Sequence, residues 1–539
     1  MSLATRFYSS FSPPILVAWQ LFMLLAAGLS CSAWSAEQDN RFDILEYQVE
    51  GNSVLPVLAI ETAVYPFLGP QRAFSDAEAA RAALEKAYQD GGYLSVSVNL
   101  PEQKVSGGVV RLQVVEGQVE RLRVSGTRYY ALGEIKAVTP ELAEGKVPYF
   151  PEVQKQLAAV NRTAERKVTP LLRPGRSPGK LEVDLKVEDQ SPVHGSIEIN
   201  NKQSPSTSEL RLEASLRYEN LFQKQHSASF NYVLSPQETD EVNVISGFYT
   251  VPLARSRSLT LYAVHSESNV ITSDSTVVGS GNVFGLRYAR PLPVLGSGTG
   301  FFHNLAAGFD YKDFAETQDN LGADQKVSPV SYLPFSAQYT AGQTYEGGSW
   351  VSNLSFVFNL RGWLDQEVDC VGVLTDQFNC RRLGARSDFS FLRGDLTYTR
   401  AVADWQGQLR LAFQASGQPL ISNEQFIAGG ADTVRGYPEG EAAGDFGWRL
   451  GIEARSPVLS TVRGSPLRGI AFVEGASLSL IDALAGQTSK FSLASVGVGV
   501  RLDGDKGLQF GLDLARTLED GPNTASGDGR AHLRLGYQF

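Results

Sequence analysis

The last ten residues, Arg530-Ala-His-Leu-Arg-Leu-Gly-Tyr-Gln-Phe539, restrict the fold more than any other stretch. Ala531, Leu533, Leu535, Tyr537 and Phe539 fall on one face of an extended strand, and Arg530, His532, Arg534 and Gln538 on the other. Side chains alternate across a strand, so this period of two means one apolar and one polar face. The pattern recurs upstream. Leu210, Leu212, Ala214, Leu216 and Tyr218 oppose Arg211, Glu213, Ser215 and Arg217, and Leu354, Phe356, Phe358 and Leu360 oppose Ser355, Asn359 and Arg361. Leu409, Leu411 and Phe413 oppose Gln408, Arg410 and Gln414. Trp448, Leu450, Ile452 and Ala454 oppose Arg449, Gly451, Glu453 and Arg455, and Val496, Val498, Val500 and Leu502 oppose Ser495, Gly497, Gly499 and Arg501. Arg and Glu at the polar positions would be costly in the dry core of a β-sandwich but are solvated in a wet lumen. The chain therefore reads as a transmembrane β-barrel over 191–539, with about sixteen strands and apolar side chains toward lipid. Closure into a barrel also removes the free strand edges that lipid cannot satisfy.

The N-terminus agrees with export. Ile15 to Leu29 is apolar apart from Gln20, follows Arg6 and leads into Ala33-Trp-Ser-Ala36, which reads as a signal peptide over 1–36. It falls short of the ~18 apolar residues a spanning helix needs, and no later stretch qualifies. The net charge of -10 and the lack of a basic stripe argue against a nucleic-acid partner. Cys31 leaves with the signal peptide; Gly28-Leu29-Ser30 before it makes a poor lipoprotein box, so no acylation is expected. Cys370 and Cys380 remain, in a polar segment, and an exported chain would join them as a local disulfide. With no His nearby, they make a poor metal site, and no metal or other cofactor is expected.

Between leader and barrel lie two small α+β units of β-α-α-β-β order, over 42–117 and 118–190. In the first, Phe42 to Val49 reads as a strand and Leu55 to Leu68 as a short helix. Ser75-Asp-Ala-Glu78 reads as a capping box opening a second helix that buries Ala80, Leu84 and Ala87 or Tyr88. Strands follow at Tyr93 to Asn99 and Val109 to Val115. In the second, a strand at Val119 to Val124 precedes a helix with Pro151 in its first turn and an apolar stripe of Val153, Leu157 and Val160. Strands at Lys167 to Leu172 and Lys180 to Val187 complete it.

These residues resemble a known family. Val49-Glu50-Gly51-Asn52, Gly92-Tyr93 and Val115-Glu116-Gly117 look like a POTRA domain, and Leu172-Arg173-Pro174-Gly175 with Pro178-Gly179 is similar to a second one. Val434-Arg435-Gly436-Tyr437, in a long connection over 421–446, resembles the VRGF/Y motif of the sixth external loop in POTRA-plus-barrel outer-membrane proteins. With the aromatic C-terminus, the set points to two-partner secretion transporters of the hemolysin secretion/activation type. That resemblance implies a mostly β, 16-stranded barrel in the outer membrane of a Gram-negative-type cell, with two periplasmic POTRA domains. These would hold an exported polypeptide, a large β-helical protein, and hand it to the pore. The barrel-assembly machinery would recognise the C-terminal signal, Tyr537 and Phe539, and lipid would surround the strands.

The resemblance further implies that the loop enters the lumen and that Arg435 meets an acidic residue of a Phe-x-Asp-x-Gly pattern. Here Phe472-Val-Glu-Gly-Ala476 offers Glu474, while Asp432, Glu439 and Glu441 are nearer in sequence. A bidentate arginine–carboxylate pair would fix geometry as well as charge. Such transporters carry an N-terminal plug helix, for which Glu37 to Arg41 are too few residues, so no plug is expected. Cys370 and Cys380 would fall in an external loop between the ninth and tenth strands.

No enzyme reading survives. Gly175-Arg-Ser-Pro-Gly179 fits G-x-S-x-G, but a nucleophile elbow needs a helix after the serine, and a strand follows at Lys180. His265 and His303 sit in strands without metal spacing, and no phosphate-binding loop is present. No catalytic residue is assigned. An assembly factor for other membrane proteins and a passive pore or adhesin remain as alternative readings. Two POTRA units disfavour the first, and the loop motif disfavours the second.

Overall fold

The computed structural model describes residues 41–161, 165–205, 207–267, 280–294, 300–315, 317–318, 326–327, 329–364, 366–370, 372–504 and 507–539. The signal peptide, Cys31 and the residues where a plug was judged absent lie outside them, apart from Arg41. The chain divides into two compact units, and the barrel lies within the second.

In the first small unit, strands Glu46–Glu50, Val109–Glu116 and Val96–Asn99 form a three-stranded sheet, the first pair parallel and the second antiparallel. Helices Val57–Val64 and Phe74–Asp90 cover it and bury Leu84 and Tyr88 against Leu112 and Val114. Three expectations are corrected here. The single strand expected over Phe42 to Val49 is two: Phe42–Ile44 pairs instead with an unforeseen strand, Gly69–Arg72. The break falls at Leu45, which turns outward while its N–H bonds Gly108 O at 2.7 Å. The helix expected over Leu55 to Leu68 gives way to a 3-10 turn at Tyr65–Phe67, where Pro66 removes a donor. The Ser75/Glu78 capping box does not form. The helix opens on Ala73, and Asp76, three residues on, accepts the Ala73 N–H at 2.9 Å. Glu78 pairs with Arg81 instead, at 2.9 Å.

The second small unit repeats the sheet order. Strand Gln118–Ser125 runs parallel to Lys180–Asp189, which is flanked by Arg166–Pro174. Helices Leu132–Val138 and Phe150–Val160 connect them. Val153 and Val160 are buried, and Leu157 only half so.

Sixteen strands then close a barrel. The first eight are Val193–Asn200, Arg211–Leu221, His226–Leu234, Asn243–Leu253, Arg257–Ser266, Ser280–Pro291, Phe301–Ala315 and an interrupted strand, Val330–Tyr332 with Phe335–Tyr345. Strands nine to eleven are Gly348–Phe358, Ser390–Val402 and Trp405–Ser416. The twelfth is Phe446–Arg455 continued by Ser460–Val462, and the rest are Ser465–Ser479, Lys490–Leu502, Gly507–Thr517 and Gly529–Gln538. Neighbours are antiparallel throughout, and the last strand pairs with the first, Arg534–Gln538 against Asn200–Ser196. Phe539 extends that seam. Its N–H and C=O bond Gly195 at 2.9 and 3.1 Å, and its ring fills the space a Cβ on Gly195 would need.

Burial follows the alternation read from the sequence. In the last strand His532 is 5% exposed, whereas Leu533, Leu535 and Tyr537 are 44%, 47% and 56% exposed. Large apolar side chains on the outer face cost nothing in lipid, which explains their exposure in a folded chain. The connection after strand nine, 359–389, carries a Cys370–Cys380 disulfide with Cα atoms 5.6 Å apart. The one after strand eleven, 417–445, holds the Val434–Tyr437 motif; Phe446 already belongs to strand twelve.

Candidate functional site

Loop six (417–445) does not stand away from the barrel: Val434, Arg435 and Tyr437 are at most 1% exposed inside the lumen. Gly436 allows this turn with φ +99°, and its N–H donates to His532 Nε2 at 2.9 Å. Val434 and Tyr437 pack with Phe426 and Ala442 of the same loop against Ala476, Leu478 and Leu493 of the wall. The Tyr437 hydroxyl donates to the Glu519 carbonyl at 2.7 Å, lies 3.0 Å from the Ala494 carbonyl and accepts from the Ala494 N–H at 3.3 Å.

Arg435 meets three carboxylates from three strands. Its backbone N–H donates to Glu474 Oε2 at 2.7 Å, and Nε and Nη2 reach Glu474 Oε1 at 3.0 and 2.6 Å. Nη2 lies 2.9 Å from Glu453 Oε2, and Nη1 donates to Asp513 Oδ2 at 3.3 Å. The guanidinium lies 3.4 Å above the Phe472 ring, a stacked geometry that adds attraction once water is gone. Asp432, Glu439 and Glu441 are engaged elsewhere: Lys202 at 3.0 Å, Ala431 N–H at 2.7 Å and Asn523 N–H at 2.7 Å.

Each carboxylate of the cage also has an arginine of the wall. Arg410 Nη2 donates to Glu474 at 2.8 Å, Arg455 Nε to Glu453 at 2.9 Å, and Arg501 to Asp513 through both terminal nitrogens. The socket is thus three wall pairs, already balanced, into which Arg435 inserts as a fourth cation. Withdrawal of Arg435 strands no carboxylate. This matters because a buried charge left without a partner is far more costly than a pair that separates from a neutral site.

Small residues make the room. A Cβ on Gly497 would overlap the Phe472 ring, and one on Gly499 the Asp513 carboxylate. Glu474 stands opposite Gly451 on one side and Ser495 on the other. Of the cage, the sequence singled out Arg435 and Glu474. Glu453, Arg410, Arg455, Arg501 and His532 were visible only as polar-face positions, and Asp513 not at all. The signal that would have found them is charge facing Gly or Ser at one height in successive strands, which requires the register.

The POTRA motif residues shape the turn rather than forming a pocket. Gly51 has φ +88°, and a Cβ there would overlap the Val114 carbonyl. Asn52 Oδ1 accepts from Leu55 N–H at 3.0 Å and the Tyr88 hydroxyl at 2.6 Å. Glu116 accepts from the Ser53 and Val54 N–H groups at 2.6 and 3.1 Å. Gly117 donates to Ser95 O at 3.1 Å, Gly92 accepts from Phe150 N–H at 3.0 Å, and the Tyr93 ring lies 5.5 Å from that of Tyr149. The second unit holds a copy of this turn. Gly126 has φ +88° and faces the Val187 carbonyl, and Asp189 accepts from Arg128 and Tyr129 N–H, each at 2.8 Å. Gly51→Ala and Gly126→Ala should therefore each weaken their own unit by about 1–3 kcal/mol, the scale of a strained left-handed residue. Limited proteolysis of the two single variants in the full-length protein checks this. Parent-like resistance in either would overturn the account of that turn.

The G-x-S-x-G segment is the turn between Arg166–Pro174 and Lys180–Asp189, with strands on both sides. The Ser177 hydroxyl donates to Glu120 at 2.8 Å and Arg176 N–H to the same carboxylate at 2.7 Å. The Ser177 bond, first among several, holds the Glu120 carboxyl below the usual glutamate range. His265 faces Asn282 and His303 faces Tyr339, each through Nδ1, at 2.8 and 3.1 Å.

A closed barrel with lumen-inserted loop and an N-terminal α+β unit defines the class of POTRA-fronted outer-membrane barrels, and residues 42–117 match the POTRA domain of ShlB type. Residues 179–501, more than half of the chain, match the haemolysin secretion/activation protein ShlB/FhaC/HecB. The chain belongs to that family, and its place is the outer membrane, with the POTRA region in the periplasm.

The outer membrane transporter CdiB of Dickeya dadantii (strain 3937) is 24% identical over 393 residues, which cover 70% of this chain and 66% of that protein. CdiB of Escherichia coli is 28% identical over 179 residues, 33% of this chain and 30% of the relative. The sequence matches thus span about two thirds and under one third of those relatives' lengths. Among solved structures, CdiB from Escherichia coli superposes with a TM-score of 0.59 at 18% identity, covering 94% of this chain and 92% of the other. BamA from Haemophilus ducreyi lacking POTRA domains 1-3 gives 0.53 at 12% identity, covering 93% and 100%. These two likenesses concern the fold.

Proposed function

We propose that this chain is the transporter half of a two-partner secretion pair. A periplasmic POTRA pair captures an exported polypeptide, and the barrel carries it to the cell surface. Family membership supports the class, and the twin turns at Gly51/Glu116 and Gly126/Asp189 support a second POTRA over 118–190. The sheet order leaves edge strands in both small units, the kind of element that can add an extended chain as a strand. No catalytic step is assigned to it.

The observation that carries the reading is the self-balanced socket around Arg435. A loop meant to stay would be expected to complete its site; here the wall pairs Arg410–Glu474, Arg455–Glu453 and Arg501–Asp513 remain whole without it. Such a plug can leave and return. Capture and folding of the partner outside would drive passage, and Tyr537 and Phe539 would serve the assembly machinery as a C-terminal signal. Deleting the gene for this chain should abolish the appearance in the medium of the exported protein encoded beside it. Undiminished export would refute the proposal, and a general loss of other outer-membrane barrels would favour an assembly role.

A further inference from the structure

The cage accounts for strands eleven to sixteen. The other side of the lumen is closed differently. Because the POTRA region is periplasmic and leads into strand one, odd strands rise outward, and the 359–389 connection is external loop five. At the outer ends of strands four to ten, lumen positions are apolar: Val244, Val264, Val283, Phe314, Val330, Tyr332 and Phe391 are all buried. A collar of this kind wastes the polar lumen unless something covers it. Loop five does. Phe378, Ala385 and Phe389 from it complete one cluster with the collar and with Leu420 and Ile421 at the start of loop six.

The loop is built as one piece. Strands Glu367–Cys370 and Val373–Asp376 form a hairpin, and Asp376 caps the short helix Gln377–Arg381 through Phe378 N–H at 2.8 Å. The Cys370–Cys380 disulfide ties hairpin to helix. Polar contacts moor it as well, among them Arg381 Nη1 to Asn423 Oδ1 at 2.5 Å and Arg382 to the carbonyls of Leu420 and Ile481 at 2.6 and 2.9 Å. Gln377 exchanges two hydrogen bonds with the Ser331 backbone, at 3.0 and 2.9 Å, and Arg381 Nη2 donates to Phe314 O at 3.1 Å. Arg382 pairs through both terminal nitrogens with Asp445, a fully buried residue at the end of loop six.

We propose that loop five is a second closure of the pore, a disulfide-tied apolar lid on the outer collar, and that it lifts as a unit when a polypeptide emerges. Loop six is held by the charged cage and the Val434/Tyr437 contacts on one side of the lumen. Loop five is held by the apolar collar and by the Gln377 and Arg381 hydrogen bonds on the other, with Arg382–Asp445 as the latch between them.

Ion conductance in planar bilayers tests this without any partner. In the full-length protein, Phe378→Asp places a carboxylate in the collar and should raise conductance several-fold in assembled, heat-modifiable barrel. It should do so again in an Arg435→Ala background, where loop six is already loosened. Independently, a membrane-impermeant reductant added to the outer side should raise parent conductance but leave a Cys370→Ser/Cys380→Ser protein, already higher, unchanged. Assembled Phe378→Asp barrel with parent conductance would overturn the proposal. Should that variant fail to assemble, an unresponsive parent under reductant, with a Cys-free protein that conducts like it, would overturn it equally.

Discussion

Arg435→Ala is expected to leave the barrel assembled, free loop six and cut secretion of the partner. The size follows from the socket. Each carboxylate keeps a wall arginine, so the loss is that of charged hydrogen bonds rather than of an orphaned ion, about 1.5–3 kcal/mol. That moves the docked-to-free ratio of the loop by roughly ten- to a hundredfold. Hydrogen exchange of residues 431–440 reads the docking, and partner in the medium reads the function. Glu474→Gln is the sharper comparison. It removes the charge shared by Arg435, at 2.6 Å, and Arg410, at 2.8 Å, inside a site that is itself buried. Arg410 then loses its carboxylate and Arg435 one of its three, and the cost rises to about 3–5 kcal/mol, felt by the wall as well as the loop. A Glu474→Gln protein milder than Arg435→Ala would contradict the balanced-socket account.

Gly195→Val is expected to impair closure of the barrel at its seam. The Phe539 ring occupies the volume of the missing Cβ, and the backbones of the two residues bond in both directions. A branched side chain there overpacks the seam by about 1–3 kcal/mol, enough to lower the closed fraction by up to roughly a hundredfold. Heat-modifiable mobility on gels measures that fraction. Phe539→Ala removes the obstruction but also part of the C-terminal signal, so Gly195→Val should cost less closure in a Phe539→Ala background than in the parent. An equal loss in both backgrounds would mean that steric conflict at the seam is not the cause.

Much of the fold was legible because a barrel writes its wall into the sequence one residue at a time. Alternation from Leu210 to Phe539 sufficed for the strands, and a short sequence distance sufficed for Cys370 and Cys380. Local competition hid other features. Ser75 looks like a cap, yet Asp76 sits three residues after Ala73 and fixes the helix cap two residues earlier. Leu45 looks like part of one strand until the partners of Phe42 and Tyr47 are known to differ, Arg72 for one and Val110 for the other. The site was half legible for a related reason. Arg435 stands out because a loop motif is contiguous, whereas Glu453, Asp513 and His532 share a height only once the register of five strands is set. The apolar collar was not read from the sequence: Val244, Val264 and Val283 gain their meaning only from loop five packed over them.

The wall itself has a further consequence. Every strand is hydrogen-bonded along both edges, the last to the first, and the outer face is satisfied by lipid. The barrel therefore needs nothing in its middle to remain a barrel. Its interior is not a hydrophobic core in the sense of a soluble domain, where removing the contents collapses the container. It is furnished space, and the furniture, two loops on different fastenings, can be cleared and replaced while the walls stand.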